Sequence, residues 1–248
     1  MIEEDVIKEA KRIIEVGQSQ NVVLRLLGGV AIGIRCPSVS NPAIARKYPD
    51  IDLAGFKKQG RGIRKLFTEL GYSPNDMFNA VRGGSRLMFF DLQNKRRVDL
   101  FLDSFEMCHK IDLRDRLTIN PLTLPLADML ATKLQIFQTN EKDIKDIVTM
   151  LLDHEVETSD NAHINGSYLA KLCADDWGIY KTFTIVIGKA LIITDKFDLT
   201  PSQKETVKAR LKRLLDLMEA EPKSFGWNMR AKVGEKKAWY KLPEDMAD

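Results

Sequence analysis

Asp50-Ile51-Asp52-Leu53 carries the most chemistry in this chain. In a strand, residues i and i+2 share a face. Asp50 and Asp52 therefore project together while Ile51 and Leu53 turn into a core. Carboxylates held side by side repel, and a divalent cation between them removes that cost. Oxygen-only ligation, completed by water and substrate phosphates, suits Mg2+ or Mn2+. A third carboxylate follows in Arg97-Val98-Asp99-Leu100-Phe101. Val98 and Leu100 face one way, and Asp99 the other, with Arg97 and Phe101 on its side. If this strand lies beside 51–55, Asp99 joins Asp50 and Asp52 as a catalytic and metal-binding trio, and Asp103 is a weaker fourth option. Lone strand aspartates are more often plain solvated side chains, but β-strands disfavour Asp and here three recur in apolar strands.

A second feature is Leu27-Gly28-Gly29-Val30. Glycines between a strand and a helix let backbone approach a ligand, and the helix offers free N–H groups to a phosphate. Alone, the pair also reads as a plain tight turn. Neither GxxxxGK[ST] nor GxGxxG is present. Lys133 flanks an apolar helical stripe, where it is either a snorkelling lysine or a cation that reaches a phosphate. Asp146 lies off the stripe formed by Ile144, Ile147, Val148 and Leu151, so packing does not require it. Its bland reading is a solvated helix face, paired with Lys142.

The elements that must position these residues follow from periodicity. Helices are expected at 3–17, 30–34 and 61–70, and strands at 22–27, 51–55, 86–93 and 97–102, the last two a hairpin through Asn94-Lys95. Residues 37–49 read as a loop. Beyond Asp112, helical periodicity dominates, with helices near 126–138, 141–153, 167–174, 178–194 and 201–219. Thr200-Pro201 is a start signal. The tail 223–248 is basic and aromatic, without a clear element. The expected fold is α+β: a small mixed β-sheet core with flanking helices over residues 1–112, then a mainly helical domain over 113–248.

An apolar strand ending in Gly-Gly, then DhDh, then a later hDh strand resembles the nucleotidyltransferase superfamily of the DNA polymerase β type. The spacer Val30–Pro49 is longer than is usual there and reads as an insertion. Leu124-Pro125-Leu126-Ala127-Asp128-Met129-Leu130-Ala131-Thr132-Lys133-Leu134, followed by Lys142-Asp143-Ile144-Lys145-Asp146-Ile147, is similar to the AbiEii-type nucleotidyltransferases of type IV toxin–antitoxin systems. The resemblance covers roughly residues 22–153. It implies metal-dependent transfer of a nucleoside monophosphate from an NTP to an acceptor hydroxyl, with the helical domain completing the nucleotide cleft. It implies nucleotide-binding roles for Gly28, Gly29, Lys133 and Asp146, an acceptor such as tRNA or another RNA, a toxin-like activity and an antitoxin protein as partner. Two alternatives stand beside it: nucleotide transfer to a small aminoglycoside- or lincosamide-type antibiotic, and a non-catalytic member that binds nucleotide or a partner protein.

Composition sets outer bounds. The chain has 248 residues, 44% hydrophobic and 29% charged, and 38 Lys+Arg against 35 Asp+Glu give +3. That balance neither announces nucleic-acid binding nor suggests disorder. Two local basic runs stand out: Lys57, Lys58, Arg61, Arg64 and Lys65, and Lys223 to Lys241 with Trp227, Trp239 and Tyr240 interleaved. Each reads as a nucleic-acid surface or, more plainly, as a solvated helix face and a tail docked by its aromatics. Cys36, Cys108 and Cys173 are odd in number and far apart, so no disulfide framework or zinc motif is legible. Only three histidines, His109, His154 and His163, disfavour a multi-His metal site. With no signal-peptide core and an apolar stretch, 184–194, too short to span a bilayer, a cytoplasmic protein with no membrane partner is expected.

Overall fold

The computed structural model describes residues 2–242. It has a mixed α/β architecture that divides into two compact units. The first comprises residues up to Arg35, Lys47–Phe105 and Ile111–Pro125; the second comprises Cys36–Arg46, Glu106–Lys110 and the chain from Leu126.

In the first unit, helix α1 (Val6–Ser19) begins where the Asp5 side chain accepts hydrogen bonds from the N–H groups of Ile7 and Lys8. That cap, and not the first apolar residue, sets the start, later than the expected residue 3. Strand β1 (Leu24–Leu27) passes directly into α2 (Gly28–Arg35), followed by β2 (Ile51–Gly55), α3 (Gly60–Glu69), β3 (Ser73–Pro74), α4 (Asp76–Arg82), β4 (Arg86–Asp91) and β5 (Arg96–Leu102). The sheet order is β1-β2-β5-β4-β3, with β2 parallel to β5 and the other pairs antiparallel. Leu122–Leu124 runs along the free edge of β1: Leu26 donates to the Leu122 carbonyl at 2.9 Å and Leu124 to the Leu26 carbonyl at 2.8 Å.

Period-two alternation gives the sheet two unlike faces. Leu24, Leu26, Ile51, Leu53, Leu87, Phe89, Val98 and Leu100 are buried and share one face by register. Phe67 of α3 stacks on Phe89 there, ring centroids 4.4 Å apart. α1 closes the same core through Ala10, Ile13 and Ile14. Its buried Glu9 carboxylate accepts from Arg12, from the Tyr72 hydroxyl and from the Glu3 N–H. Burial pushes the Glu9 carboxyl up, but these bonds outweigh it and hold the group below its ordinary range. The opposite face carries Asp52, Asp99, Met88, Arg86 and Phe101.

Short strands β6 (Ser104–Glu106) and β7 (Lys110–Asp112) lead to α5 (Leu126–Leu134), α6 (Glu141–Asp153), β8 (Val156–Glu157), β9 (Ile164–Asn165), α7 (Gly166–Asp175), α8 (Trp177–Thr194), α9 (Pro201–Ala220) and α10 (Phe225–Val233). In the second unit, α7, α8 and α9 pack on one another, and α6 packs on α5, α8 and α9. Phe183, Val186, Ile187, Leu211, Leu214, Ile147 and Leu151 fill the space between them. Reciprocal capping boxes start α6 (Asn140 with Asp143) and α9 (Thr200 with Gln203). α5 stops at Leu134, short of the expected 138, because Phe137 leaves the helix to stack on Tyr240 at 4.1 Å and gives its carbonyl to Lys189. α8 is longer than its most apolar stretch suggested. Its 18 residues are long and apolar enough to cross a membrane, but half of them are buried inside this unit. Cys36, Cys108 and Cys173 are buried, and none is in a disulfide.

The tail acquires structure the sequence did not reveal. Ser224 caps α10, and Arg230 donates to the carbonyls of Gly234 and Lys237 while its guanidinium lies 4.6 Å from the Trp177 ring centre. Trp239 donates to Thr182 Oγ1 at 3.3 Å and Lys241 pairs with Glu106 at 2.7 Å. The second basic run, as far as it is described, is thus docked by its aromatics. Residues 243–248 of that run's reading lie outside the described residues.

Candidate active site

The three aspartates come from two adjacent parallel strands of the first unit. Asp52 lies directly opposite Asp99 in the β2–β5 register, and Asp50 immediately precedes β2. The strand that carries Asp99 lies beside 51–55, as the sequence reading required, and the pairing is parallel. The Asp52 carboxylate packs against the start of α2. Gly28 has φ +68°, and a Cβ built on it would lie 2.1 Å from Asp52 Oδ2. Gly28 is required twice over, by its left-handed backbone and by this approach. Helix α2 spans Gly28–Arg35, so it starts two residues before the expected Val30 and the glycine pair belongs to its start, not to a loop before it. This puts the free N–H groups of a helix start beside a carboxylate, on the face of the sheet that has no apolar lid of its own strands.

Two arginines complete the arrangement. Asp99 is 1% exposed. Its Oδ1 accepts from Arg86 Nε at 2.9 Å, and its Oδ2 lies 3.1 Å from Arg97 Nε. The latter is an ionic contact, since that N–H is not aligned for a hydrogen bond. Arg97 Nη2 is also 3.7 Å from Asp50 Oδ2, so this guanidinium spans Asp50 and Asp99. Arg86 in turn lies 4.9 Å from the Phe101 ring centre. Among the described residues, no set of three or more Asp, Glu, His or Cys side chains converges closely enough to hold a metal ion. Arg97 supplies the positive charge between Asp50 and Asp99.

Mg2+ was the expected ion, and the donors here match it in part. Asp50 and Asp52, two residues apart at the start of β2, are oxygen donors of the kind Mg2+ accepts with waters and substrate phosphates in its other positions. Asp99, with both oxygens facing guanidinium groups, does not fit as a third ligand in this arrangement. Asp103, with φ +62°, accepts from the Lys57 N–H and is turned to a loop.

Lys133 and Asp146 meet in the second unit. Lys133 Nζ is 2.9 Å from Asp146 Oδ2 and 3.1 Å from Asp143 Oδ1. Arg46 forks onto the same Asp146 with two bonds of 2.6 Å. Asp146 is 2% exposed, which corrects its reading as a solvated residue: it is off the apolar stripe yet buried, because Arg46 covers it. Arg46 belongs to the 36–46 segment, the apparent insertion between Gly28-Gly29 and Asp50, which clusters with the helical unit. There Ser38 also donates through N–H and hydroxyl to Asp153, at 2.8 and 2.5 Å. Burial pulls the Lys133 ammonium down, but Asp146 and Asp143 outweigh it and hold the pKa above the ordinary lysine value.

Sequence reasoning did not single out Arg46 or Arg86, and noted Arg97 only as a neighbour of Asp99. Strand alternation places Arg97 beside Asp99, and pairing in the hairpin brings Arg86 to the same face. Nothing local marks Arg46, whose partner is 100 residues away.

No protein-family model and no curated protein matches the chain. Among solved structures, a lincosamide antibiotic adenylyltransferase, LnuA, determined with lincomycin bound, is similar over 58% of this chain and 94% of its own, at 15% identity and a TM-score of 0.38.

Proposed function

We propose that the protein is a metal-dependent nucleotidyltransferase that moves a nucleoside monophosphate from an NTP to an acceptor hydroxyl. One observation carries the reading: Asp52 stands in register with Asp99 and against Gly28, so two carboxylates and the start of a helix, a place where phosphates are commonly held, share one sheet face.

In this reading the backbone N–H groups of Gly28 and Gly29 hold the triphosphate and α2 adds its positive end. Asp50 and Asp52 hold Mg2+ or Mn2+, which when bound neutralises phosphate oxygens and the departing pyrophosphate. The acceptor oxygen forms a bond to the α-phosphorus as the bond from that phosphorus to the bridging oxygen breaks, releasing pyrophosphate. Asp99 takes the hydroxyl proton, with Arg97 drawn toward substrate phosphate. Lys133, its ammonium held by Asp143 and Asp146, is the nucleotide-binding cation that the AbiEii resemblance suggests.

The AbiEii resemblance supports tRNA or another RNA as acceptor and growth arrest as the outcome; the antibiotic alternative adds aminoglycosides and lincosamides to the screen. The test is incubation with each labelled NTP and Mg2+, against total RNA, aminoglycosides and lincosamides, with Asp52→Asn as control. Label transfer that disappears in the variant is expected. No transfer to any acceptor, together with no NTP or Mg2+ binding, overturns the proposal.

A further inference from the structure

We infer that the acceptor docks in a cavity of about 500 Å3 beside Asp50, and that it is anionic: a hydroxyl compound that carries a phosphate next to the reacting group. The inference rests on the transfer reading and names the substrate class that the site would take. The cavity lies at one end of the sheet. Asp50, Phe90, Lys95, Arg96 and Arg97 line it, with Asp91 and Leu92.

Its charge is the first argument. Three consecutive cations face two carboxylates, and one of those, Asp91, is already paired with Arg96 at 3.3 Å. Lys95 is exposed, and among the described residues its ammonium has no partner. A polycationic acceptor such as an aminoglycoside would meet like charge here. A phosphate would meet Lys95 and the half-exposed Arg97.

An orphaned donor is the second. Arg96 is 4% exposed. Its Nη2 gives hydrogen bonds to the carbonyls of Glu3 and Glu4, but its Nη1 is buried and has no acceptor. Buried donors are rarely left unpaired, and this guanidinium leaves its positive charge in the wall of the cavity, where an anion meets it.

Position is the third. Arg97 lines this cavity and also reaches Asp50 and Asp99. A phosphate that draws Arg97 toward itself releases Asp50 and the Oδ2 of Asp99 while Arg86 keeps Oδ1, so acceptor binding and the charge on Asp99 are coupled. Phe90 offers a ring, and Leu92, 73% exposed, an apolar surface for the sugar or base beside that phosphate.

The hairpin itself supplies a variant that folds. Lys95 has φ +53°, the left-handed region where glycine is favoured. Lys95→Gly removes the ammonium and relieves the backbone, so a loss of binding cannot be ascribed to misfolding. Lys95→Glu reverses the charge. Three probes distinguish the source of the phosphate: a fluorescent single-stranded oligoribonucleotide with a free 3′ hydroxyl, a nucleoside 5′-monophosphate, and a fluorescent aminoglycoside, each titrated without NTP. We expect the oligonucleotide to bind wild type, at least tenfold more weakly to Lys95→Gly and weaker still to Lys95→Glu, with the salt slope reduced by about one in Lys95→Gly. Equal competition by the monophosphate assigns the site to phosphorylated small molecules; competition by the strand alone assigns it to nucleic acid. Unchanged oligonucleotide affinity in both variants, or aminoglycoside binding that Lys95→Glu leaves unaltered and that excludes the oligonucleotide, overturns the inference. Asp52→Asn separates the two claims: intact acceptor binding with no transfer in any chain would sink the transfer reading and leave the acceptor site standing.

Discussion

A methyl group at position 28 has nowhere to go. It would sit 2.1 Å from Asp52 Oδ2 on a backbone already at φ +68°. Gly28→Ala is therefore expected to displace Asp52 and to abolish nucleotide transfer. The strain should also lower stability by about 1–3 kcal/mol, read from thermal melting beside the transfer assay. Asp99 is the second residue whose replacement discriminates. Asp99→Asn keeps the shape but removes the charge between Arg86 and Arg97. Transfer should fall by at least a hundredfold while NTP binding to the Gly28-Gly29 turn persists. Loss of NTP binding in a folded Asp99→Asn protein would move Asp99 from the acceptor to the nucleotide.

At the scale of elements, the charge network of α5 and α6 makes a prediction about pH. The Lys133 pKa is raised above its ordinary 10.5 by Asp146 and Asp143. A raised lysine contributes stability that is fully present below 10.5 and is lost as pH climbs through the folded-state value. Alkaline melting of wild type should steepen there, and Lys133→Met should flatten it. Asp146→Asn strips the Arg46 fork and one Lys133 contact, leaving two cations inside; about 3 kcal/mol of destabilisation is expected. On the acid side, Glu9 is held below 4.5, so its contribution is complete above 4.5 and fades as pH falls through the lower folded value, an effect Glu9→Gln should remove. The same elements show what could be read from the chain alone. α6 was legible to the residue because Ile144, Ile147, Val148 and Leu151 repeat at helical spacing and Asn140 caps it. β2 and β5 were legible from alternation, and so were the three aspartates on them. α4 was not: Met77 and Val81 are exposed, so no apolar stripe announces it. Arg46 was not, because an ion pair 100 residues long in sequence leaves no local pattern.

At the scale of the whole molecule, the chain passes between its two units five times, after Arg35, Arg46, Phe105, Lys110 and Pro125. If the protein is a toxin-like transferase, its expression should arrest growth and Asp52→Asn should restore it, with protein level checked by blotting. The buried cysteines, none in a disulfide, predict that a reductant leaves the melting temperature unchanged. The run of chain along the outer edge of β1 has a consequence for anyone who would cut this protein. A fragment that stops at residue 112 loses Leu122–Leu124, and with it the hydrogen bonds that flank Leu26. It bares the rim of the strand that leads into Gly28, where another copy can dock. Such a piece should clump; the strand that leads into Gly28 depends on a seam stitched shut by residues that arrive nearly a hundred positions later.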